Sequence, residues 1–277
     1  MLRPLFPEPA LLVEQKEKIL VVGDIHLGYE FTLAEVGINI PSQTQKILNK
    51  LIRIVDEIKP SKLIFLGDVK QSVPRISFQE WRDIPSFFEE LGKHVAEIEV
   101  VPGNHDGDLE PLTPRSVKIL PVGGVLLEDV EKVGLFHGHA WPDAKLLEAE
   151  HLVLSHNHPA IQFTDSLGYR SIKPVWMRIP IDQEKAAQAF LERQRIRCDP
   201  PYKECFREKL EVALNAKRAL VLPTFNEAVG GLAVNVKRAR ALLGPMGRTG
   251  ALEIDKAEIY MTDGTYLGTL SNLRRIL

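Results

Sequence analysis

Five stretches of this chain repeat one pattern, in which an apolar run ends in glycine or another small residue and then in polar side chains. The stretches are KILVVGD (18–24), KLIFLGD (62–68), IEVVPGN (98–104), VGLFHGH (133–139) and HLVLSHN (151–157). Continuous apolar runs of this length are typical of strands that are buried on both faces. The sequence therefore predicts five buried strands with polar side chains at their C-terminal ends.

The segments between the first three strands have helical patterns. Apolar residues recur at close to helical spacing over 42–59, with Ser42 as an expected N-cap and Pro60 after the end. A second helix is predicted over 78–94, where Pro85 should mark a kink or a break. Strands that alternate with helices in this way predict a right-handed parallel arrangement.

The pattern changes after residue 114. The stretch VKILPVGGVLLEDVEKVGLFHG indicates consecutive short strands around a Gly123-Gly124 turn, with no room for a crossover helix. We therefore expect a second, more antiparallel sheet stacked on the first, with helices outside the two sheets.

The C-terminal third alternates between helical and extended patterns. Residues 182–218 predict charged helices with a break at Asp199-Pro200-Pro201, and 218–236 predict a strand, a Gly230-Gly231 turn and another strand. A final hairpin is expected within 253–269 around Asp263-Gly264.

This reading divides the chain into two parts. Residues 1–181 form a core that carries all the polar strand ends, and 182–277 form a basic segment that is helical and then extended. We expect the second part to complete the second sheet. A small cap over a substrate cleft and a dimerisation element, which would make a homodimer, are the alternatives.

Composition places the chain among soluble globular proteins. It has 277 residues, of which 44% are hydrophobic and 26% charged, so it can bury a substantial core. No apolar run approaches the roughly 20 residues that span a bilayer, so we expect no membrane contact and a cytoplasmic location. Cys198 and Cys205 lie outside every motif, and we expect two incidental thiols.

Charge is distributed unevenly along the chain. The net charge is -2, but residues 1–184 hold 19 Lys and Arg against 27 Asp and Glu, and the remainder holds 16 against 10. The basic residues of the tail cluster are Arg193, Arg195, Arg197, Lys203, Arg207, Lys209, Lys217 and Arg218. This cluster could face a polyanion, although acidic residues interleave with it and favour the solvated face of a helix.

Six of the eight histidines fall inside the polar strand ends, together with carboxylates. Asp24 and His26 are one residue apart, and in extended backbone alternate side chains point the same way, so both could reach one ion. Asp68 follows Gly67 at the end of the second strand, where an unpaired buried carboxylate is costly. Its two oxygens could bridge a pair of cations about 3.5 to 4 Å apart.

The remaining strand ends add an amide and further imidazoles. Asn104 can bind a cation through its amide oxygen, and His105 brings a titratable ring whose tautomer Asp106 could fix. The last two strands end in HxH pairs, which are His137 with His139 and His156 with His158. Together these residues predict a hydrolytic centre that holds two divalent metal ions.

The series DIHLG, GDVK, GNHD, HGH and SHNHP resembles the calcineurin-like metallophosphoesterase superfamily. The run HGHAWPDAKLLEAEHLVLSHNHPAI more narrowly resembles ICC-like and archaeal SbcD-related phosphoesterases and the DNA-ligase-associated phosphoesterases of bacteria. The resemblance covers about residues 18–236 and implies an α/β fold, a four-layer α/β/β/α sandwich of two stacked mixed sheets with flanking helices.

The resemblance also implies a division of the site residues. One metal takes Asp24, His26 and His158, the other takes Asn104, His137 and His156, and Asp68 bridges them. His105 is then the general acid near the leaving group, supported by Asp106.

This chain departs from the family pattern at two places. Many members continue GDxxD where this chain has GDVKQ, and the usual glycine before the last HxH is Ser155. Lys70 could contact a substrate phosphate or be a surface lysine. His139 could orient a ligand or face the substrate.

The expected activity is hydrolysis of a phosphoester by a metal-bound hydroxide, with phosphodiesters of nucleic acid or nucleotides as first choice. The alternatives are a phosphomonoesterase acting on a small metabolite or protein, and an interaction scaffold on the same fold. A set of oxygen and imidazole ligands without thiolate fits manganese, iron, cobalt, nickel or zinc. By resemblance we expect manganese.

Overall fold

Two β-sheets stack face to face in the computed structural model, which describes residues 1–236 and 242–276. The strands of the first sheet are β1 (Leu2–Pro4), β2 (Leu11–Glu14), β3 (Lys18–Val22), β4 (Lys62–Leu66), β5 (Glu97–Val101) and β6 (Val117–Ile119). They lie side by side in this order. β3 to β6 run parallel, as predicted for the front of the chain, and β1 and β2 add antiparallel neighbours.

The second sheet is built from later segments of the chain. Its strands are β7 (Val125–Leu127), β8 (Val133–Leu135), β9 (His151–Leu154), β10 (Pro159–Thr164), β11 (Arg170–Pro180), β12 (Arg218–Val221), β13 (Leu232–Ala233), β14 (Glu258–Met261) and β15 (Tyr266–Thr269). Their order is β13-β10-β11-β12-β9-β8-β7, and the hairpin of β14 and β15 joins through β11. Parallel and antiparallel pairs both occur, so this sheet is also mixed.

Helices cover the outer faces of both sheets. The helices of the described residues are α1 (Tyr29–Glu35), α2 (Thr44–Ile58), α3 (Phe78–Leu91), α4 (Gln183–Arg193), α5 (Tyr202–Leu210), α6 (Gly244–Arg248) and α7 (Leu270–Ile276). Of these, α2 and α3 pack against the first sheet, and α4 and α5 pack against the second. Among the residues that the structure describes, no helix combines the length and apolar character needed to cross a membrane.

Alternating side chains of the strands separate the layers. In β4, Leu63 and Phe65 pack with the buried residues of α2 and α3, whereas Ile64 and Leu66 face the second sheet. In β9, Leu152 and Leu154 pack with Phe190 of α4. Each such side chain contributes about 1.5–3 kcal/mol by burial. The predicted α/β/β/α sandwich is therefore confirmed.

Helix ends differ from the expectation at two points. α2 begins after Gln43, so Ser42 is not its cap. α3 continues through Pro85, and the expected break is wrong. Tertiary packing explains this continuity, because Ile84 and Phe87 on either side of the proline are fully buried in the core.

Strand pairing corrects two further expectations. β6 pairs in parallel with β5, so it belongs to the first sheet and the Gly123-Gly124 segment connects the sheets. β12 and β13 do not form a hairpin, because β12 lies between β9 and β11 while β13 pairs with β10. In the middle of the sheet β12 pairs on both sides, which a hairpin at an edge would not allow.

The two cysteines are joined in a disulfide, contrary to the expected incidental thiols. Cys198 lies in the turn between α4 and α5, and Cys205 lies on α5. Both are partly buried against the core of the second sheet, with 6.5 Å between their Cα atoms. The turn between α4 and α5 brings the two cysteines together, and their spacing in the sequence does not predict this contact.

Candidate metal centre

The polar strand ends of both sheets meet at one edge of the sandwich. β3, β4 and β5 supply Asp24, Asp68 and His105 from the first sheet, and β8 and β9 supply His137 and His156 from the second. All five strands are oriented so that their C-terminal ends lie at this edge, which is where parallel sheets commonly place their sites.

Five of the seven ligand candidates lie in left-handed backbone, not in the extended backbone that the sequence suggested. The φ angles are 56° at Asp24, 41° at His26, 49° at Asp68, 67° at His156 and 39° at His158. Non-glycine residues in this region cost about 1–3 kcal/mol each, and they concentrate at functional sites. The residues of the D-x-H and H-x-H motifs are therefore brought together by tight turns, not by alternation along a strand.

Hydrogen bonds between loops hold these turns in place. The backbone N–H of His156 donates to Oδ2 of Asp24 at 2.9 Å, which ties the second sheet to the first. The backbone N–H of His105 donates to Oδ1 of Asp68 at 2.9 Å. Each carboxylate thus keeps its other oxygen for a further partner.

One cluster of donor atoms comprises Asp24, His26, Asp68 and His158, with one atom from each within 4.8 Å of the others. Nε2 of His26 and Nε2 of His158 are 3.3 Å apart. Nε2 of His158 lies 3.4 Å from Oδ2 of Asp24, and Nε2 of His26 lies 3.7 Å from Oδ2 of Asp68.

A second cluster comprises Asp68, His137 and His156 within the same limit. Nε2 of His137 lies 3.5 Å from Oδ2 of Asp68 and 3.1 Å from Oδ1 of Asp24. Asp68 is thus common to both clusters of candidate metal ligands.

The chemistry of these donors fits divalent cations. Asp24 and Asp68 are fully buried, and no Lys or Arg of residues 1–236 or 242–276 forms an ion pair with either. Buried carboxylates without a compensating charge are strongly disfavoured. A cation would supply that charge, and imidazole with carboxylate suits a borderline transition metal.

Burial and mutual contact shift the protonation of these groups. Burial raises the pKa of Asp68 to about 6, although attraction to His137 opposes the shift. Burial alone would raise the pKa of Asp24, but the His158 charge and hydrogen bonds from His137 and His158 bring it below its ordinary value. Burial lowers the pKa of His26 to about 3, so this ring is neutral and able to ligate at physiological pH.

His105 lies beside the first cluster, with its ring centroid 5.0 Å from that of His26. Its Nδ1 is 2.6 Å from the carbonyl oxygen of Gln71, which only an N–H at Nδ1 can satisfy. Asn104 precedes it, exposed in the turn after β5.

The sequence suggested that Asp106 holds the His105 ring, but in the structure Asp106 accepts hydrogen bonds from other groups. Its two oxygens accept the backbone N–H groups of Val69, Lys70 and Gly103, at 2.9, 3.2 and 2.8 Å. Asp106 is buried, and its three backbone bonds join the turns after β4 and β5. Burial raises its pKa above the ordinary value. Gln71 takes the role expected of Asp106, because the GDVKQ turn brings a main-chain carbonyl closer to the ring.

Lys70 is 1% exposed, so the surface alternative is wrong. Its ammonium donates to the carbonyl oxygen of Ser72, two residues further along the same loop. This contact stabilises the loop that presents Gln71. A contact of Lys70 with a substrate phosphate stays a prediction.

His139 lies against His137, with 2.8 Å between their Nδ1 atoms. One of the two nitrogens must carry a hydrogen and the other must accept it. Burial and the neighbouring His137 lower the pKa of His139 to about 4, so its ring is neutral. His139 thus contacts the ring of His137, and both roles that the sequence left open for it stay predictions.

Two loops outside the predicted set of site residues support the site. Thr224 donates its hydroxyl to the carbonyl oxygen of Asp24 at 2.9 Å, and Asn226 donates its amide to that of Ile25 at 3.0 Å. Phe225 between them is buried in the core of the first sheet. The sequence signal for this loop is that Thr224 and Asn226 flank the apolar Phe225 after β12.

Glu80 of α3 fixes the second loop. Its carboxylate accepts the backbone N–H groups of Gln71 and Ser72 at 3.0 and 2.7 Å, and also that of Ser77 in a capping box. Ser77 and Glu80 form the S-x-x-E pattern that precedes many helices, and this signal was readable in the sequence.

Comparisons with known proteins agree with this geometry. Residues 17–190 match the calcineurin-like phosphoesterase family. No curated protein matches the sequence. Among solved structures, the Pseudomonas putida nuclease MPE is similar with a TM-score of 0.51 and 16% identity, over 95% of this chain and 98% of that one.

A second solved structure has lower overall similarity. The Escherichia coli phosphoesterase Yfce gives a TM-score of 0.34 and 18% identity, over 53% of this chain and 74% of that one. The family match spans more than half of the chain and contains all the polar strand ends described above. The chain therefore belongs to the calcineurin-like phosphoesterase family and is a phosphoric ester hydrolase.

Proposed function

We propose that the protein is a dinuclear-metal-dependent phosphodiesterase or nuclease that acts on nucleic acid or nucleotides. The observation that carries the dinuclear part is the position of Asp68, whose carboxylate belongs to both donor clusters. A carboxylate shared in this way is the usual bridge in two-metal sites.

Asp24, His26 and His158 would hold one ion, Asn104, His137 and His156 would hold the other, and Asp68 would be shared. Two divalent cations, when bound, lower the pKa of a water molecule and neutralise charge on the phosphoryl oxygens. The oxygen and imidazole donors accommodate manganese, iron, cobalt, nickel or zinc, and the family resemblance favours manganese.

His105 is the proposed general acid. The Gln71 carbonyl keeps a hydrogen on Nδ1, so Nε2 is the nitrogen that can carry a second proton to the departing alkoxide. The bond from its backbone N–H to Asp68 fixes the base of this side chain against the shared carboxylate. His105 can therefore deliver a proton from a fixed position.

Two observations support nucleic acid as substrate. The similar nuclease from Pseudomonas putida has the same fold. In this chain, Trp141 lies just after the HGH turn, and the guanidinium of Arg193 stacks 5.2 Å from its ring centroid. An arginine stacked on an aromatic ring suits the phosphates and bases of a single strand.

The decisive experiment compares substrates side by side on protein reconstituted with Mn²⁺. The substrates are bis-p-nitrophenyl phosphate, p-nitrophenyl phosphate, single-stranded DNA and 2′,3′-cyclic nucleotides. We expect cleavage of the diesters and the DNA to exceed that of the monoester, and we expect DNA binding to weaken with salt.

Two outcomes would contradict the proposal. A preference for p-nitrophenyl phosphate would identify a phosphomonoesterase on the same fold. Failure to bind Mn²⁺, Fe²⁺, Co²⁺, Ni²⁺ or Zn²⁺ at micromolar concentration would favour the interaction scaffold.

A further inference from the structure

A cavity of about 620 Å³ opens between the two sheets at the edge opposite the metal centre. Strand β9 joins the two places, because it begins with His151 at the cavity and is followed by His156 at the metal centre. Five residues of extended chain separate them by about 16 Å. The cavity is therefore distinct from the site described above.

The inner face of the second sheet changes from apolar to polar at this cavity. Val153 of β9 pairs with Leu220 of β12, and both pack between the sheets. Two residues earlier, His151 pairs with Arg218, and their side chains lie on the same face because the period of a strand is two. His151 and Arg218 thus occupy inner-face positions at which apolar side chains would pack between the two sheets.

The wall of the cavity carries three positively charged groups, of which two have an acidic partner within ion-pair distance. Arg178 is neutralised by Glu258, whose carboxylate accepts its Nε–H at 2.8 Å. The terminal amine of Met1 lies 3.6 Å from Glu131. The backbone N–H of Arg218 donates to the carbonyl oxygen of Glu150 at 3.3 Å. Its exposed guanidinium makes no hydrogen bond or ion pair with the residues in 1–236 and 242–276, although its charge acts on the Glu150 carboxylate and lowers the pKa of that group. Its guanidinium is therefore free to bind an anion.

Aromatic rings form the opposite part of the wall. Phe6 and Trp176 meet edge to face with 6.3 Å between ring centroids, and Tyr260 lies on the strand that pairs with Trp176. Trp176 is 1% exposed, and within the described part of the chain its indole N–H has no hydrogen-bond acceptor. Buried indole N–H groups usually have a partner.

We propose that this cavity binds a small molecule with a planar ring and one anionic group. Arg218 binds the anion, and Phe6, Trp176 and Tyr260 contact the ring. The volume lies within the range of small-molecule sites. The anion can be a phosphate, as in a nucleoside monophosphate, or a carboxylate on an aromatic ring. This inference does not depend on the proposed phosphodiesterase activity.

Calorimetric titration of the full, metal-loaded chain tests the proposal. The probes are AMP and indole-3-carboxylate, with adenosine and inorganic phosphate as partial ligands. We expect saturable binding of AMP, of indole-3-carboxylate or of both, and which probe binds more tightly identifies the anion. Adenosine and phosphate should bind at least about tenfold more weakly, because each lacks one of the two groups.

Arg218→Gln should weaken probe binding by about tenfold or more, since the charged hydrogen bonds are lost. Arg82→Gln is the matched control, because Arg82 is an exposed arginine of α3 that does not line the cavity, and it should bind as the wild type does. Unchanged thermal unfolding of Arg218→Gln would show that the variant is folded. If it unfolds, Trp176→Phe keeps the ring, removes the N–H and should also weaken binding.

Three results would overturn the proposal. The first is equal probe affinity in Arg218→Gln and the wild type. The second is loss of binding in His156→Ala while Arg218→Gln keeps it, which would place the probe at the metal centre. The third is no saturable binding of either probe at millimolar concentration.

Discussion

The two sheets contribute different chemistry to the candidate metal centre. The loops of the first sheet supply both buried carboxylates, Asp24 and Asp68, together with His105, whereas the loops of the second sheet supply the imidazoles of the HGH and HNH turns. The first sheet therefore supplies the carboxylates of the site, and the second supplies imidazole nitrogens only. Neither sheet has a complete set of donors, so the centre exists only where the sheets are stacked.

The contact between the two halves is very close. A Cβ on Gly23 would lie 2.6 Å from the Cβ of Ser155, and the hydroxyl of Ser155 donates to the carbonyl oxygen of Leu66 in the first sheet. Ser155 replaces the glycine that is usual in the family before the last HxH. This contact fixes the spacing of the halves in this chain.

Asp68→Ala removes the donor that both clusters share. We expect loss of bound metal and a fall of phosphoester hydrolysis to the level of the metal-free protein, because each ion loses a carboxylate. Metal content by mass spectrometry and turnover of bis-p-nitrophenyl phosphate check this. Asp129→Ala, at an exposed carboxylate paired with Lys16, is the control and should change neither. Full metal content in Asp68→Ala would refute the bridging assignment.

His105→Ala tests the spare imidazole of the first sheet. It should keep the metal and lower turnover by about 10² to 10⁴-fold on a substrate with a poor leaving group, because general acid assistance is lost. The loss should be smaller with a p-nitrophenolate leaving group, which needs no proton. His94→Ala, at an exposed histidine paired with Asp56, is the matched control. Full activity on the poor leaving group would rule out the acid role.

Gly23→Ala tests the contact between the halves. The new methyl group meets Ser155, so we expect a loss of about 1–3 kcal/mol of stability and weaker metal binding. Chemical denaturation and metal titration measure these effects. Gly107→Ala has no neighbour within 4 Å of the added Cβ and is the control. Adding Ser155→Gly to Gly23→Ala should restore metal binding, and failure to do so would place the strain elsewhere.

Glu80→Gln affects the loop of the first sheet that presents Gln71 and the N-terminal cap of α3. Burial would raise the pKa of Glu80, but hydrogen bonds from Ser72 and Ser77 bring it below its ordinary value. A carboxyl pKa that is lower in the folded state stabilises the protein above about pH 4.5 and loses this contribution as the pH falls through the folded value. We expect Glu80→Gln to lose about 1–3 kcal/mol at neutral pH.

The dependence of the unfolding free energy on acid pH distinguishes the hydrogen-bonding role of the Glu80 carboxylate from a general loss of stability. Wild-type stability should fall below about pH 4.5, and the fall should be smaller in Glu80→Gln, because glutamine does not titrate. Urea denaturation between neutral and acid pH measures both curves. Glu89→Gln, at an exposed position of the same helix, should follow the wild type. Parallel curves for Glu80→Gln and the wild type would contradict the assignment.

Several features were readable from the sequence because they depend on neighbours along the chain. The five apolar runs became β3, β4, β5, β8 and β9. The final hairpin formed around its Asp-Gly turn, and the break between α4 and α5 lies at the predicted prolines. Apolar runs and turn residues act locally, so their pattern is sufficient to place elements.

Other features depend on contacts that no local pattern contains. The partner of His105 is a main-chain carbonyl, Asp106 joins two turns, and Lys70 is buried. Each outcome depends on the relative position of loops far apart in sequence. The left-handed backbone at Asp24 is similar, because the hydrogen bond from His156 in the second sheet helps to hold it.

The sequence by itself determined which side chains stand at the ends of which strands, because hydrophobic runs and small residues specify buried strands and their exits. Only the tertiary structure decided which of these side chains share a position for an ion, and it placed a positively charged cavity at the opposite edge. The physical reason is that ligand sharing depends on distances of a few ångströms between two sheets, and those distances are set by packing across their interface.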